Sequence, residues 1–182
     1  DGRLTVAIGV GWSRAEFEAL GSTFTDRGRR TDEIIAILRA AWRDQPVGFA
    51  GRHYAFDPVR ILPPPAHGIP IWIAGETEPA YRRAVTMGDG FHAGSWVLPP
   101  DAMRDAVARV RAERPEPEFV FSVYTHDWDP AKVDPAVIRA EYDAYETAGV
   151  QCVVAAPDQR DADAWLASVE ALARVVGVGP RA

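Results

Sequence analysis

Apolar positions along this chain alternate between short continuous runs and stripes at helical spacing. The first run, "RLTVAIGVGW" from Arg3 to Trp12, has an apolar centre from Leu4 to Val10 and loosens at Gly9 and Gly11. A run this apolar predicts a strand buried on both faces, as in parallel sheets. A short helix is expected over Arg14 to Leu20. Asp26 then stands where a helix N-cap belongs, and Ile34, Ile35, Leu38, Ala41 and Trp42 share one face. That spacing predicts a helix from Arg27 to Arg43. Val47 to Phe56 predicts a small hairpin turning at Ala50 and Gly51. The prolines of "LPPPAHG", Leu62 to Gly68, fix φ and predict an extended connector.

From Ile69 onward the rhythm is regular. Strands are predicted at 70–74, 90–93, 118–125 and 150–155, and helices at 78–87, 101–113, 135–148 and 160–176. Met103, Ala106, Val107 and Val110 form the apolar stripe of one helix, and Trp165, Val169, Leu172 and Val176 that of the last. Strand and helix in strict alternation imply right-handed βαβ units and a parallel sheet. Five strands stand in parallel-type positions, and eight would close a (β/α)₈ barrel. The chain opens on Asp1 rather than methionine and enters a strand almost at once. The expectation is an α/β fold: a partial (β/α)₈ TIM barrel with a small hairpin insertion at 44–68. Strands one to three would be absent, about a hundred residues at roughly 30 per βα unit. Residues 1–182 are then the C-terminal part of one barrel domain.

Composition narrows the function classes. The 182 residues are 47% hydrophobic and 25% charged, enough for one substantial core. A net charge of -6 leaves no basic footprint for nucleic acid. No apolar run approaches the roughly 20 residues that span a bilayer, so no membrane partner is expected. Cys152 is the only cysteine, which excludes an internal disulfide framework. No signal peptide is visible, so the expected compartment is the cytoplasm. Lys132 is the only lysine and asparagine is absent, a bias that fits GC-rich coding rather than a chemistry.

The strongest candidate site follows the strand at 70–74. "IPIWIAGETEPAYRRAVTMGDGF", Ile69 to Phe91, breaks at Gly75 and passes through Glu-Thr-Glu-Pro into a helix. Gly75 allows close backbone approach, and Pro79 suits the first helical turn, which places Thr77 or Glu78 near the N-cap. Such a helix start presents N–H groups and the positive end of a dipole, where phosphate binds. Glu76 either points away from an anion or accepts a hydrogen bond. Pattern alone favours an ordinary βα turn with a capped helix over a ligand site. "GVGW", Gly9 to Trp12, lacks the third glycine of a dinucleotide fingerprint, since Arg14 stands in its place. Its glycines suit the approach of a flat ring or a loop, and Trp12 either lines a pocket or is covered.

Asp89, between two glycines in "GDGFHAGSW", is expected to fix a turn at a strand's start. His92, Ser95 and Trp96 lie around that strand's exit, where site-lining residues belong in a barrel. His126 follows "FVFSVYTHD" and is either structural or at the barrel mouth. The four histidines and Cys152 show no metal spacing, so no metal is expected. There is no P-loop, nucleophile elbow or H-E-x-x-H motif.

The blocks "GRLTVAIGVGWSRAEFEALGSTFTDRGRRTDEIIAILRAAW" and "GRHYAF…PPPAHGIPIWIAGETEPAYRRAVTMGDGF" resemble the luciferase-like monooxygenase family, above all its members that use the deazaflavin coenzyme F420. The resemblance is dense from Gly2 to Phe91 and collinear beyond. It implies a (β/α)₈ barrel with an insertion after strand four, and makes Arg3–Trp12 strand four. It implies that Ala74, Gly75, Glu76 and Thr77 hold the cofactor's phosphate, largely through backbone amides. Gly11 and Trp12 would lie near the ring or its side chain, and Gly90, Phe91 and Gly94 would border the cofactor's far side. His92, Trp96 and His126 are the candidates for substrate contact. The cofactor implied is F420, with FMN and O2 as the alternative. The activity implied is hydride transfer to or from a small organic substrate, or monooxygenation, in a homodimer. The family's cis-peptide bulge and several polar catalytic residues belong to strands one to three, so no catalytic residue is assigned. A rival reading is non-catalytic: a truncated barrel fragment whose open sheet edges serve as an assembly or cofactor-binding module.

Overall fold

The computed structural model describes residues 2–43 and 45–178. The chain divides after Asp89 into two compact units. No helix among the described residues is long and apolar enough to cross a membrane.

The first unit contains β1 (Val6–Ile8), α1 (Arg14–Ala19), α2 (Arg27–Ala41), β2 (Val47–Ala50), β3 (Ala55–Val59), β4 (Ile71–Ala74) and α3 (Glu78–Met87). β1 and β4 run parallel, with Val6, Ala7 and Ile8 opposite Ile71, Trp72 and Ile73. Side chains alternate across a strand, so Ile71 and Ile73 go to the buried face with Ala80 and Ala84 of α3. Asp89, expected to fix a turn at the start of the strand that follows it, anchors the start of β4. Its carboxylate accepts the Ile71 N–H at 2.8 Å, and Arg39 of α2 pairs with it at 2.8 Å.

Two expectations fail in this unit, and a third holds in position only. β1 is three residues long rather than the span from Leu4 to Val10, and Ala7 is exposed. Among the described residues of this unit β1 pairs only with β4, so no second strand pairs with its other edge. The hairpin turns at Gly51–Tyr54, not at Ala50–Gly51, and its second strand reaches Val59. The cause is Glu33 of α2. Its carboxylate accepts the backbone N–H groups of Arg52 (2.8 Å), His53 (3.0 Å) and Tyr54 (3.0 Å), gathering the turn around itself. Burial pushes the Glu33 carboxyl up, but those N–H groups, with His53 nearby, outweigh it and hold it below its usual value. Finally, Asp26 holds the N-cap position of α2 without a capping hydrogen bond. Its carboxylate goes instead to Arg30 at 3.1 Å and to His53 at 3.5 Å.

The second unit contains β5 (Gly90–Gly94), α4 (Pro100–Arg111), β6 (Val120–Thr125), α5 (Pro135–Thr147), β7 (Cys152–Ala155) and α6 (Ala162–Val176). The strands are parallel and in sequence order, β5 beside β6 beside β7. Phe91, Ala93, Phe121 and Val123 are buried, as are Met103 and Val110 of α4 and Ile138 and Tyr145 of α5. The opposite strand face carries His92, Ser122 and Cys152 in one row, since His92 is the register partner of Ser122 and Ser122 that of Cys152. Cys152 is a half-buried free thiol. The Tyr145 hydroxyl donates to the Leu98 carbonyl at 3.0 Å, and burial, with Glu141 adding to it, pushes that phenol up to about 12. The stripe expected of α6 holds at Leu172 and departs at Trp165. Trp165 is 39% exposed, while Ser168 and Leu172 face inward. Ser168 is drawn in because its hydroxyl donates to Asp129 at 3.0 Å.

Candidate functional site

In the first unit the ends of β1 and β4 frame a cleft of about 520 Å³. Its walls bring Gly11 and Trp12 together with Ala74, Gly75, Glu76 and Thr77, two segments far apart in the sequence. Gly75 has φ +130, and a Cβ there would stand 3.2 Å from the Ala80 Cβ. Only glycine takes that conformation without strain. The absent side chain is what lets this turn pack directly against Ala80 of α3 beside the cleft. Thr77 is the N-cap of α3, with φ -97 and ψ 159, and its hydroxyl makes no capping bond to its own helix. Its carbonyl accepts from Ala80 at 2.9 Å and Tyr81 at 3.0 Å, which closes the first turn.

Gly11, at φ +81, is pressed by α1: a Cβ there would lie 2.8 Å from the Phe17 ring. Trp12 is 86% exposed at the rim. Such a side chain is a free aromatic face and supplies no core packing.

Two arginines that the sequence reading passed over complete the walls. Arg27, at the first turn of α2, donates from Nε to the Gly11 carbonyl at 3.1 Å and from Nη1 to the Phe24 carbonyl at 3.0 Å. Its guanidinium lies 3.8 Å over the Phe24 ring. Arg83 is only 8% exposed; its Nε reaches Asp32 at 2.6 Å and its Nη2 the Gly28 carbonyl at 3.3 Å. A signal for Arg83 was available. It sits at i+3 from Ala80 and one before Ala84, on the inward stripe of α3, where an arginine must be held by partners. Arg27 had no such mark, because its role depends on Phe24 and on a carbonyl 16 residues away. The cleft wall thus carries two guanidinium groups against one carboxylate, Glu76. A glycine cradle, a helix N-terminus and paired arginines form a donor set that fits a phosphate.

The remaining candidates lie in the second unit. Gly90, His92 and Gly94 share one face of β5, and Phe91 lies on the other, wholly buried. The Phe91 ring belongs to the core, so only its backbone remains for a ligand. His92 Nδ1 is 3.1 Å from the Ser122 hydroxyl, and burial holds its imidazole below the usual range. At the strand ends Trp96 packs edge-on to Tyr124 at 5.7 Å and to His126 at 5.1 Å. Trp96 folds back over Gly94, where a Cβ would stand 2.5 Å from its ring. His126 is half exposed, and its Nε2 meets Asp127 at 2.9 Å. Trp96 and His126 therefore stand at neighbouring strand ends of one unit, whereas His92 sits in the middle of β5. Among the described residues no group of three or more His, Cys, Asp or Glu could hold a metal ion.

The family described as luciferase-like monooxygenase matches residues 1–173. The chain is 33% identical over 94 residues to the FMNH(2)-dependent dimethylsulfone monooxygenase of Pseudomonas fluorescens, covering 50% of this chain and 26% of that one. It is also 33% identical over 95 residues to the F420-dependent glucose-6-phosphate dehydrogenase of Intrasporangium calvum, covering 50% of this chain and 28% of that one. The matched stretch spans 26% to 38% of the length of such curated relatives. Among solved structures, an F420-dependent secondary alcohol dehydrogenase in complex with an F420-acetone adduct superposes with a TM-score of 0.74 at 16% identity. That superposition covers 96% of this chain and 70% of that one. The likeness shows the fold expected from the strand-helix rhythm: α/β, with parallel strands as in luciferase-like (β/α)₈ barrel enzymes.

Proposed function

This chain belongs to the luciferase-like monooxygenase family, and we propose that the protein is an F420-dependent oxidoreductase whose cofactor phosphate sits in the Gly11–Gly75 cleft. The observation that carries the reading is the Gly75 turn. A cradle too tight for a Cβ, an N-cap hydroxyl not engaged by its own helix, and two arginines all converge on one cleft. When bound, F420 supplies hydride transfer at its ring. The chain's own part is to hold the anionic end through the Gly75–Thr77 turn, with Arg27 and Arg83 offsetting its charge. Trp12, exposed at the rim, offers a flat face to the ring or its side chain. His92, Trp96 and His126 are the proposed substrate contacts for a small organic molecule. His92 is held neutral near pH 7 and so would act there as a hydrogen-bonding group rather than a cation. FMN is the second reading, favoured by the FMNH(2)-dependent relative, and the same phosphate cleft would serve it.

The test is a fluorescence titration of the full-length protein with oxidised F420 and, separately, FMN. Saturable F420 binding is expected, weakened about 100-fold in Gly75→Trp, because a side chain there meets both strain and Ala80. Thr77→Val, which leaves the backbone in place, should weaken it about fivefold. Unchanged affinity in both variants overturns the phosphate assignment.

A further inference from the structure

The strands of the second unit carry a further row one step nearer the sheet's C-terminal edge. Gly94 stands opposite Tyr124, and Tyr124 opposite Val154. Side chains alternate along a strand, so this row shares a face with His92 and Ser122, two residues earlier. Gly94 has no side chain, and the Trp96 ring takes its place, edge-on to Tyr124 and to His126. The Tyr124 and His126 rings are nearly parallel, with 18° between their planes. Among the described residues this surface stays open: Trp96 is 59% exposed and Val154 41%. Apolar side chains gathered at strand mouths and left open mark a binding surface. The Trp96 ring is already held by its neighbours, so little freedom is lost when a flat molecule settles against it.

Charge decides what kind of molecule that is. Residues 126–134 and 156–161, the loops beyond β6 and β7, hold five aspartates against Lys132 and Arg160. Lys132 is engaged by Asp158 at 3.1 Å and by Asp129 at 3.6 Å. A phosphate or carboxylate brought here meets net negative charge. A cation gains little either. Asp127 is paired with His126 at 2.9 Å, and the row beneath is a hydroxyl and an imidazole that burial keeps uncharged near pH 7. We propose that this face binds a flat, uncharged aromatic molecule, its ring against Trp96, Tyr124 and Val154 and its polar edge towards His92 and Ser122. Tyr124 and Val154 thereby become specificity-determining residues. The inference rests on the reading of these strand ends as the substrate site, and it narrows a small organic substrate to one chemical class.

The experiment measures, by calorimetric titration of the full-length protein, the binding of three probes that share one ring system. They are 2-naphthol, neutral at pH 7, the anion 2-naphthoate and the cation 2-naphthylmethylammonium, each with and without F420. Wild type should bind 2-naphthol about tenfold more tightly than either charged probe. Trp96→Ala should weaken 2-naphthol about tenfold. Val154→Lys, a change at a part-exposed position, should reverse the order of 2-naphthol and 2-naphthoate. Equal or tighter binding of either charged probe by wild type overturns the inference. So does the absence of binding of all three, with and without F420. A preference that neither variant alters places the ring elsewhere and overturns it too. Should Val154→Lys not fold, the wild-type order and Trp96→Ala decide between them. Saturable F420 binding without a preference for the neutral ring removes the substrate class and leaves the proposed cofactor. A preserved preference without F420 binding does the reverse.

Discussion

Two strand ends in this molecule follow the same plan and arrive at opposite chemistries. After β4 the chain turns on Gly75, exposes backbone and borrows guanidinium groups from α2 and α3. After β5 and β6 it ends in rings, Trp96, Tyr124 and His126, packed on one another at 5.1 to 6.5 Å. The strands beneath are alike, each with one buried apolar face. The parallel scaffold thus fixes where a residue stands at a strand's mouth, and the turn fixes what it can bind. Glycine and arginine suit an anion, whereas an aromatic cluster beside a carboxylate suits a flat organic group.

The supports behind the two regions differ as well. The first unit hangs its hairpin on Glu33, a half-buried carboxylate satisfied by backbone N–H groups. The second ties its loops to Asp129, which is 1% exposed and satisfied mainly by side chains. Asp129 accepts from the Ala131 N–H at 3.0 Å, Ser168 at 3.0 Å and Gln159 at 2.7 Å, with Lys132 at 3.6 Å. The loop carrying His126 is thereby joined to the start of α6.

The largest expected effect follows from that contrast. Asp129→Ala strands three donors in a buried place and should cost about 3 kcal/mol in denaturant unfolding. Burial pushes the Asp129 carboxyl up, but Ala131, Ser168, Gln159 and Lys132 together hold it below its ordinary value. Its folded pKa is depressed, so its stability contribution is fully present above the unfolded value of about 3.9. That contribution is lost as pH falls through the folded value. Asp129→Asn should flatten this acid limb; a limb as steep as wild type would remove Asp129 from its role.

A smaller and more local effect is expected at Glu33. Glu33→Gln keeps the shape and removes the charge, so the Arg52, His53 and Tyr54 amides lose a charge-assisted acceptor. Hydrogen exchange at those three amides should quicken while β6 and β7 keep their protection. The sign of the pH dependence matches that of Asp129, since this carboxyl is also held low. Loss of protection throughout the chain would mean that Glu33 supports more than the hairpin.

Much of this arrangement was legible from spacing. The strand at 71–74 and the N-cap at Thr77 follow from glycine, proline and apolar periodicity, all of which act locally. What periodicity could not reveal was the long-range use of charge. Glu33 reads as a solvated helix residue until the hairpin folds onto it, and the turn then moves to Gly51–Tyr54 because of it. Arg27 reads as an exposed helix charge for the same reason, whereas the inward stripe of α3 already marks Arg83. Ser168 turns inward on α6 although it is polar, because its hydroxyl meets a buried carboxylate 39 residues away. Local pattern carries the strands; partners distant in sequence decide which polar residues turn inward.

The smallest effect probes the second unit's interior row. His92 Nδ1 and the Ser122 hydroxyl are 3.1 Å apart on adjacent strands, and burial is what holds the His92 imidazole below 6.5. Ser122→Ala removes the hydroxyl and leaves the burial, so the His92 pKa read by NMR titration should move by only a few tenths and stay low. A neutral imidazole favoured in the folded state contributes stability that is full above the unfolded value of about 6.5 and lost as pH falls through the folded one. A return of His92 to its ordinary value in Ser122→Ala would show that the hydrogen bond, not burial, sets its charge. The row of His92, Ser122 and Cys152 would then be a polar network in its own right, and the contrast between a charged first unit and an apolar, aromatic second unit would no longer hold.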